Sequence, residues 1–93
     1  MYEIYQTQTF AKVAKKFFKK HKNLISTFIK VNEQLEQNPL HNSLKTHKLN
    51  GNLSEFYACS LTFEYRIVMI IEIKDEEITL INIGSHDEVY KKG

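Results

Sequence analysis

Apolar residues recur at helical spacing early in the chain and at strand spacing late in it. Phe10, Val13, Ala14, Phe17 and Phe18 form one stripe with lysines between them, which predicts a helix over about residues 9–21 with Thr9 as its N-cap. A second stripe, Leu24, Ile25, Phe28, Val31 and Leu35, predicts a helix over about 24–37, closed by Asn38-Pro39. Ahead of both, YEIYQ alternates and reads as a short strand at 2–6. Three more strands are expected at about 55–61, 65–73 and 77–83, joined by short turns and ended at Gly84. On the middle one, Ile67, Met69, Ile71 and Ile73 share the face expected under the helices, and Arg66, Val68, Ile70 and Glu72 share the other. The residues from 38 to 54 are expected to be irregular, anchored by Leu40, Leu44 and Leu49, with a turn at Asn50-Gly51. SHDEVYKK follows the last strand as a tail of about one helical turn. The result is one α+β domain over residues 1–93. Its order is β-α-α-β-β-β, with a two-helix hairpin packed on one face of an antiparallel four-stranded sheet.

Composition narrows the class. At 42% apolar and 26% charged, the chain is too apolar to be disordered. Its longest apolar run, Ile67–Ile71, is far short of the roughly 20 residues of a membrane span. MYEIYQTQTF has no basic segment followed by an apolar one, so no secretory leader is expected. The lone Cys59 has no internal partner, which fits a reducing cytoplasm. Charge is uneven. Residues 1–50 hold nine lysines against three glutamates, and residues 51–93 hold four bases against eight acids. Seven lysines (12, 15, 16, 19, 20, 22 and 30) fall between residues 10 and 30 with no acid among them. Such a face suits a phosphate backbone or an acidic protein, and it is also what a merely solvated helix presents.

Candidate chemistry rests on few groups. Histidine accepts and donates protons near neutrality, and there are four: His21, His41, His47 and His86. Arg66 is the one arginine, a fixed cationic fork suited to phosphate or to an ion pair with a neighbouring glutamate. Glu64 lies in the turn before it, and Tyr65 and Tyr90 can stack on a base or close the core. No Cys-x-x-Cys, His-Glu-x-x-His or glycine-rich phosphate loop is present, so neither a metal site nor a cofactor is expected. Cys59, mid-strand, reads as an inert buried thiol.

Three motifs in this order resemble the RelE/ParE superfamily of type II toxin–antitoxin toxins, and its YafQ-like branch most. Asn38-Pro39-Leu40 with Lys45-Thr46-His47-Lys48-Leu49-Asn50-Gly51 is similar to a His-x-Leu-x-Gly loop. Glu64-Tyr65-Arg66-Ile67-Val68 resembles a Tyr-Arg-Leu-Val-Tyr strand. Ile83-Gly84-Ser85-His86-Asp87-Glu88-Val89-Tyr90 resembles a Gly-Thr-His-x-x-Leu-Phe ending. The resemblance implies a metal-independent, ribosome-dependent mRNA interferase whose substrate 2′-hydroxyl attacks the adjacent phosphate. It also implies a cognate antitoxin, with the ribosome and mRNA as further partners, no membrane, and a toxin–antitoxin hetero-oligomer on operator DNA. Carried over by position, His86, His47, Glu64 and Arg66 take catalytic roles and Tyr90 that of the terminal aromatic. Ser60 stands where the branch has a second histidine, and Asn82 where it has an arginine. These two, with Tyr65, Lys12, Lys16 and Lys19, complete the candidate RNA-binding set. The alternatives are a ParE-like gyrase binder and a degenerate, inactive member.

Overall fold

The computed structural model describes residues 1–53 and 55–90; Ser54 and 91–93, with the last two lysines of the tail, lie outside it. Strand β1 (Glu3–Gln6) leads into helix α1 (Gln8–Lys20), a single 3-10 turn, and helix α2 (Ile25–Gln37). Strand β2 (His47–Lys48) precedes β3 (Tyr57–Ser60), β4 (Tyr65–Glu72) and β5 (Glu77–Ser85), and helix α3 (His86–Tyr90) closes the described chain. Helix α1 starts two residues earlier than Thr9 as cap would allow. Thr7 is the N-cap: its Oγ1 accepts from the Phe10 N–H at 3.0 Å, while its own N–H donates to the Leu80 carbonyl at 3.2 Å. One residue thus ends the strand pairing and begins the helix.

The sheet has five strands in the order β1-β5-β4-β3-β2, where four were expected. The added strand is the two-residue β2, drawn from the loop by pairing His47 with Ala58 and Lys48 with Tyr57. The sheet is also mixed, because β1 lies parallel to β5. The connection between the two, which holds both long helices and strands β2 to β4, is far longer than the dozen residues that a parallel pair requires. The last strand runs through Gly84 to Ser85, past the expected stop, since β4 offers partners as far as Tyr65. Along β4 and β5 the register slips once: Val68 faces Asn82 and Met69 faces Leu80, so Ile81 is passed over. This bulge changes which face β5 presents, letting both Leu80 and Ile83 face the helices.

Phe10, Leu35, Ile67, Met69, Ile78 and Leu80 fill the space between helices and sheet, with Val13, Phe17, Phe28 and Val31 around them. Three expected anchors sit elsewhere. Ile25 is exposed on α2, one position off the buried stripe. Leu40 is exposed, and Pro39 is buried in its stead, beside Leu44 and Leu49. Ile73 is exposed because β4 has already ended at Glu72. On the opposite face a second, smaller cluster of Leu49, Ala58, Val68 and Val89 seats α3 against the sheet. Among the described residues no helix is long and apolar enough to cross a membrane.

Candidate functional site

Side chains opposite one another on paired strands share a face. His47 lies opposite Ala58, Ser60 opposite Arg66, and Arg66 opposite Gly84. The register therefore sets His47, Ser60 and Arg66 on the face away from α1 and α2. Ser60 is two residues along β3 from Ala58, about 7 Å at strand rise. Next to Gly84, the chain leaves β5 and turns into α3, which brings His86 and Tyr90 to the same end of the sheet.

A reciprocal pair of hydrogen bonds fixes that turn. The Ser85 Oγ accepts from the Glu88 N–H at 3.2 Å, and the Ser85 N–H donates to Glu88 Oε1 at 2.8 Å. This is a capping box, and the Ser-x-x-Glu spacing that signals it is legible in the sequence. These bonds hold the Glu88 carboxyl below its usual range, aided by Lys20 and His21. Gly84 makes room for the box, because a Cβ there would come within 2.9 Å of Glu88 Oε1. His86 and Tyr90, one turn apart on α3, meet edge to face with ring centroids 4.4 Å apart. The His86 Nδ1 lies 3.5 Å from Asp87 Oδ1, and its ring stays largely open to solvent.

His47 is held from the other side. Lys45 takes a left-handed conformation at φ 54°, and His47 Nδ1 lies 3.1 Å from the Lys45 carbonyl oxygen. A carbonyl can only accept, so Nδ1 carries a proton, and in the neutral form of the ring that tautomer leaves Nε2 as the acceptor. Of the other two histidines, His41 caps a 3-10 turn by accepting from the Ser43 N–H at 3.1 Å. His21 stacks on Phe17 and Tyr65 at centroid distances of 4.6 and 5.0 Å.

Arg66 pairs with no carboxylate among the described residues, which sets aside the ion-pair alternative. Its Nη1 donates to the carbonyls of Thr62 and Phe63, both at 2.9 Å, and to that of Tyr65 at 3.2 Å. The guanidinium thus ties down the β3–β4 turn that carries the exposed Glu64. It also lies near enough to Tyr90 and Cys59 to pull down on both groups. Burial outweighs it in each case. The Cys59 thiol is pushed up to about 12, which leaves it protonated and inert, and the Tyr90 phenol is raised as well. The Tyr90 hydroxyl is buried with no hydrogen-bond partner among the described residues.

The remaining candidates lie away from the His47, Ser60 and Arg66 face, and four of them, Tyr65, Asn82, Lys16 and Lys19, line one groove. Tyr65 is on the helix side of β4, edge to face with Phe17 at 5.0 Å, because it shares the parity of Ile67 and Met69. Asn82 turns back on its own strand, where its Oδ1 accepts from the Ile83 N–H at 2.9 Å beside the bulge. Lys16 and Lys19 rim a groove between α1 and β5, floored by Val13, Phe17 and Ile83, and Lys12 is exposed on the same helix.

Residues 2–91 match the family described as the bacterial toxin of type II toxin–antitoxin systems, YafQ. The chain belongs to the YafQ toxin family. It is 26% identical over 92 residues to the RelE4 toxin candidate of Methanocaldococcus jannaschii, covering 99% of this chain and 94% of that protein. The crystal structure of YafQ from Escherichia coli superposes with a TM-score of 0.80 at 17% identity, over 97% of this chain and 99% of that one. YafQ in the E. coli DinJ–YafQ complex superposes at 0.71 and 16% identity, over 97% and 99%. The RelE-like α+β fold expected from the motifs is thus the fold of this YafQ-family chain, with a fifth strand and one parallel pairing added.

Proposed function

We propose that this YafQ-family toxin is a ribosome-dependent endoribonuclease that cuts mRNA by internal transphosphorylation. The observation that carries the reading is that two differently equipped histidines belong to the sheet face away from the long helices, His47 on β2 opposite Ala58 and His86 at the start of α3. His47 offers a free Nε2 acceptor, and His86 has a carboxylate beside its Nδ1. In the proposed step His47 takes the proton from a ribose 2′-hydroxyl as its oxygen attacks the adjacent phosphorus. The bond from phosphorus to the 5′-oxygen breaks, and His86 gives that oxygen its proton, leaving a 2′,3′-cyclic phosphate. Arg66 stabilises the crowded phosphate, and Tyr90, whose hydroxyl is buried, backs the His86 ring. Ser60 and Glu64 border the same end, where a hydroxyl and a carboxylate orient the ribose. Asn82 and Tyr65 take structural roles. The step needs no metal ion. The protein works in the cytoplasm. An antitoxin restrains it, as DinJ accompanies YafQ, in a hetero-oligomer that also binds operator DNA.

The test is cleavage of mRNA on programmed ribosomes, run beside growth arrest and a thermal melt. His86→Ala is expected to melt like the parent and to cleave about 10²–10⁴-fold more slowly. His47→Ala is expected to show a comparable loss. A folded His86→Ala protein that cleaves at the parent rate removes the reading. Growth arrest with intact mRNA and inhibited gyrase would favour the gyrase-binding alternative.

A further inference from the structure

Phe63 is 93% exposed at the tip of the β3–β4 turn, the most exposed large apolar side chain among the described residues. An aromatic ring held in water at such a position gains nothing for the fold. The turn beneath it is nevertheless rigid. Thr62 Oγ1 accepts from the N–H groups of Glu64 and Tyr65, each at 3.2 Å. The Leu61 and Thr62 N–H groups both donate to the Tyr65 carbonyl. Arg66 Nη1 binds the carbonyls of Thr62, Phe63 and Tyr65, so Phe63's own carbonyl is one of the fastened groups. Phe63 also sits next to Glu64, at the end of the sheet where Ser60 pairs with Arg66 and Tyr65 pairs with Ser85, the residue before His86.

We infer that Phe63 is a base-stacking platform, which binds a nucleobase of the RNA beside the scissile phosphate. The inference rests on the ribonuclease reading above. A π-face accepts any base, and the fastened backbone beneath the ring limits the freedom lost when the base arrives. RNA is favoured over a protein partner by position: Arg66, the cation assigned above to the phosphate, binds the Phe63 carbonyl itself, and no other exposed large apolar side chain among the described residues falls in this turn. A protein contact of this size is ordinarily an apolar cluster. Phe63 touches no reacting atom, so it is a positioning residue whose effect falls on substrate binding.

The experiment uses four substitutions. Phe63→Trp and Phe63→Tyr keep a stacking face, Phe63→Leu keeps apolar bulk without one, and Phe63→Ala removes both. All four should melt like the parent, because the side chain is not packed. On programmed ribosomes Phe63→Ala and Phe63→Leu are expected to raise KM about five- to hundredfold, the range found for losing one base stack, with kcat little changed. The two aromatic variants should restore KM. The parent has no tryptophan, so Phe63→Trp also provides a single fluorophore. Its emission should be quenched by a single-stranded RNA oligonucleotide with 2′-O-methyl riboses, which bind but cannot be cut. Parent-like KM in Phe63→Leu, or emission unaltered by the RNA, overturns the platform while the ribonuclease reading stands on parent cleavage. Should the parent cleave nothing, the ribonuclease reading falls, and unquenched emission still overturns the platform. Emission that responds to an antitoxin protein and not to RNA overturns it in favour of a protein contact.

Discussion

Arg66 shows how one side chain can be chosen correctly for one property and misjudged for another. Its charge and its place on the face away from the helices are legible in the sequence. Its partners are not, because the three carbonyls it binds belong to a turn whose shape is set by Thr62. Two consequences separate when the residue is changed. Arg66→Ala is expected to destabilise the fold by about 1.5–3 kcal/mol, the range for hydrogen bonds to a charged group. It is also expected to slow cleavage beyond what partial unfolding explains. Arg66→Lys keeps the charge but cannot reach three carbonyls from one planar fork. Its melt should fall between those of Ala and the parent, with cleavage only partly restored. A thermal melt and single-turnover rates on the same preparations check both. The histidines divide along a similar line. All four are equal in a sequence, and local carbonyls, hydroxyls and rings sort them. His41 caps a turn and His21 stacks on Phe17, which leaves His47 and His86 as the histidines of the proposed reaction.

Helix α3 is five residues long, too short to persist on its own. Three devices keep it: the Ser85–Glu88 box, the Val89 side chain in the smaller core, and the bare backbone of Gly84. Ser85→Ala should cost about 1 kcal/mol as a lost cap. Gly84→Ala should cost about 1–3 kcal/mol by displacing the Glu88 carboxylate. Both should loosen His86 more than the rest of the fold, as read by hydrogen exchange of residues 86–90. Acid should do the same. Glu88 titrates below its usual value when folded, so its contribution is present above the ordinary carboxylate pKa of 4.5 and is lost as pH falls through the lower folded value. NMR signals of the α3 amides should broaden or shift in that window, and Glu88→Gln should remove the pH dependence. At this scale the helices and the three long strands were readable, since each carries a periodic apolar face. The strand β2 was not, because two residues have no period; it exists only through its pairing with β3. The parallel place of β1 was hidden for the same reason: pairing direction leaves no mark on a four-residue alternation.

Across the whole molecule, charge is sorted by element. The lysines of α1 stand around a groove on the helix side, while the proposed chemistry lies at the end of the opposite face. They can therefore attract nucleic acid without entering the reaction. Lys12, Lys16 and Lys19 changed together to Glu should weaken ribosome binding severalfold or more, and flatten its dependence on salt. Cleavage of mRNA already bound should be unaffected. Co-sedimentation with ribosomes across a salt series, beside single-turnover cleavage, checks the pair of outcomes; binding indifferent to both salt and substitution would contradict them.

The parallel pairing of β1 with β5 joins the first strand of the described chain to the last. During synthesis, Glu3–Gln6 emerge early and must wait for Glu77–Ser85 before they have a neighbour. His86 follows later still. Until that point the sheet lacks the strand that joins β1 to β4, and α1 lacks part of its floor. A growing chain therefore cannot assemble the proposed site until β5 and α3 have both emerged.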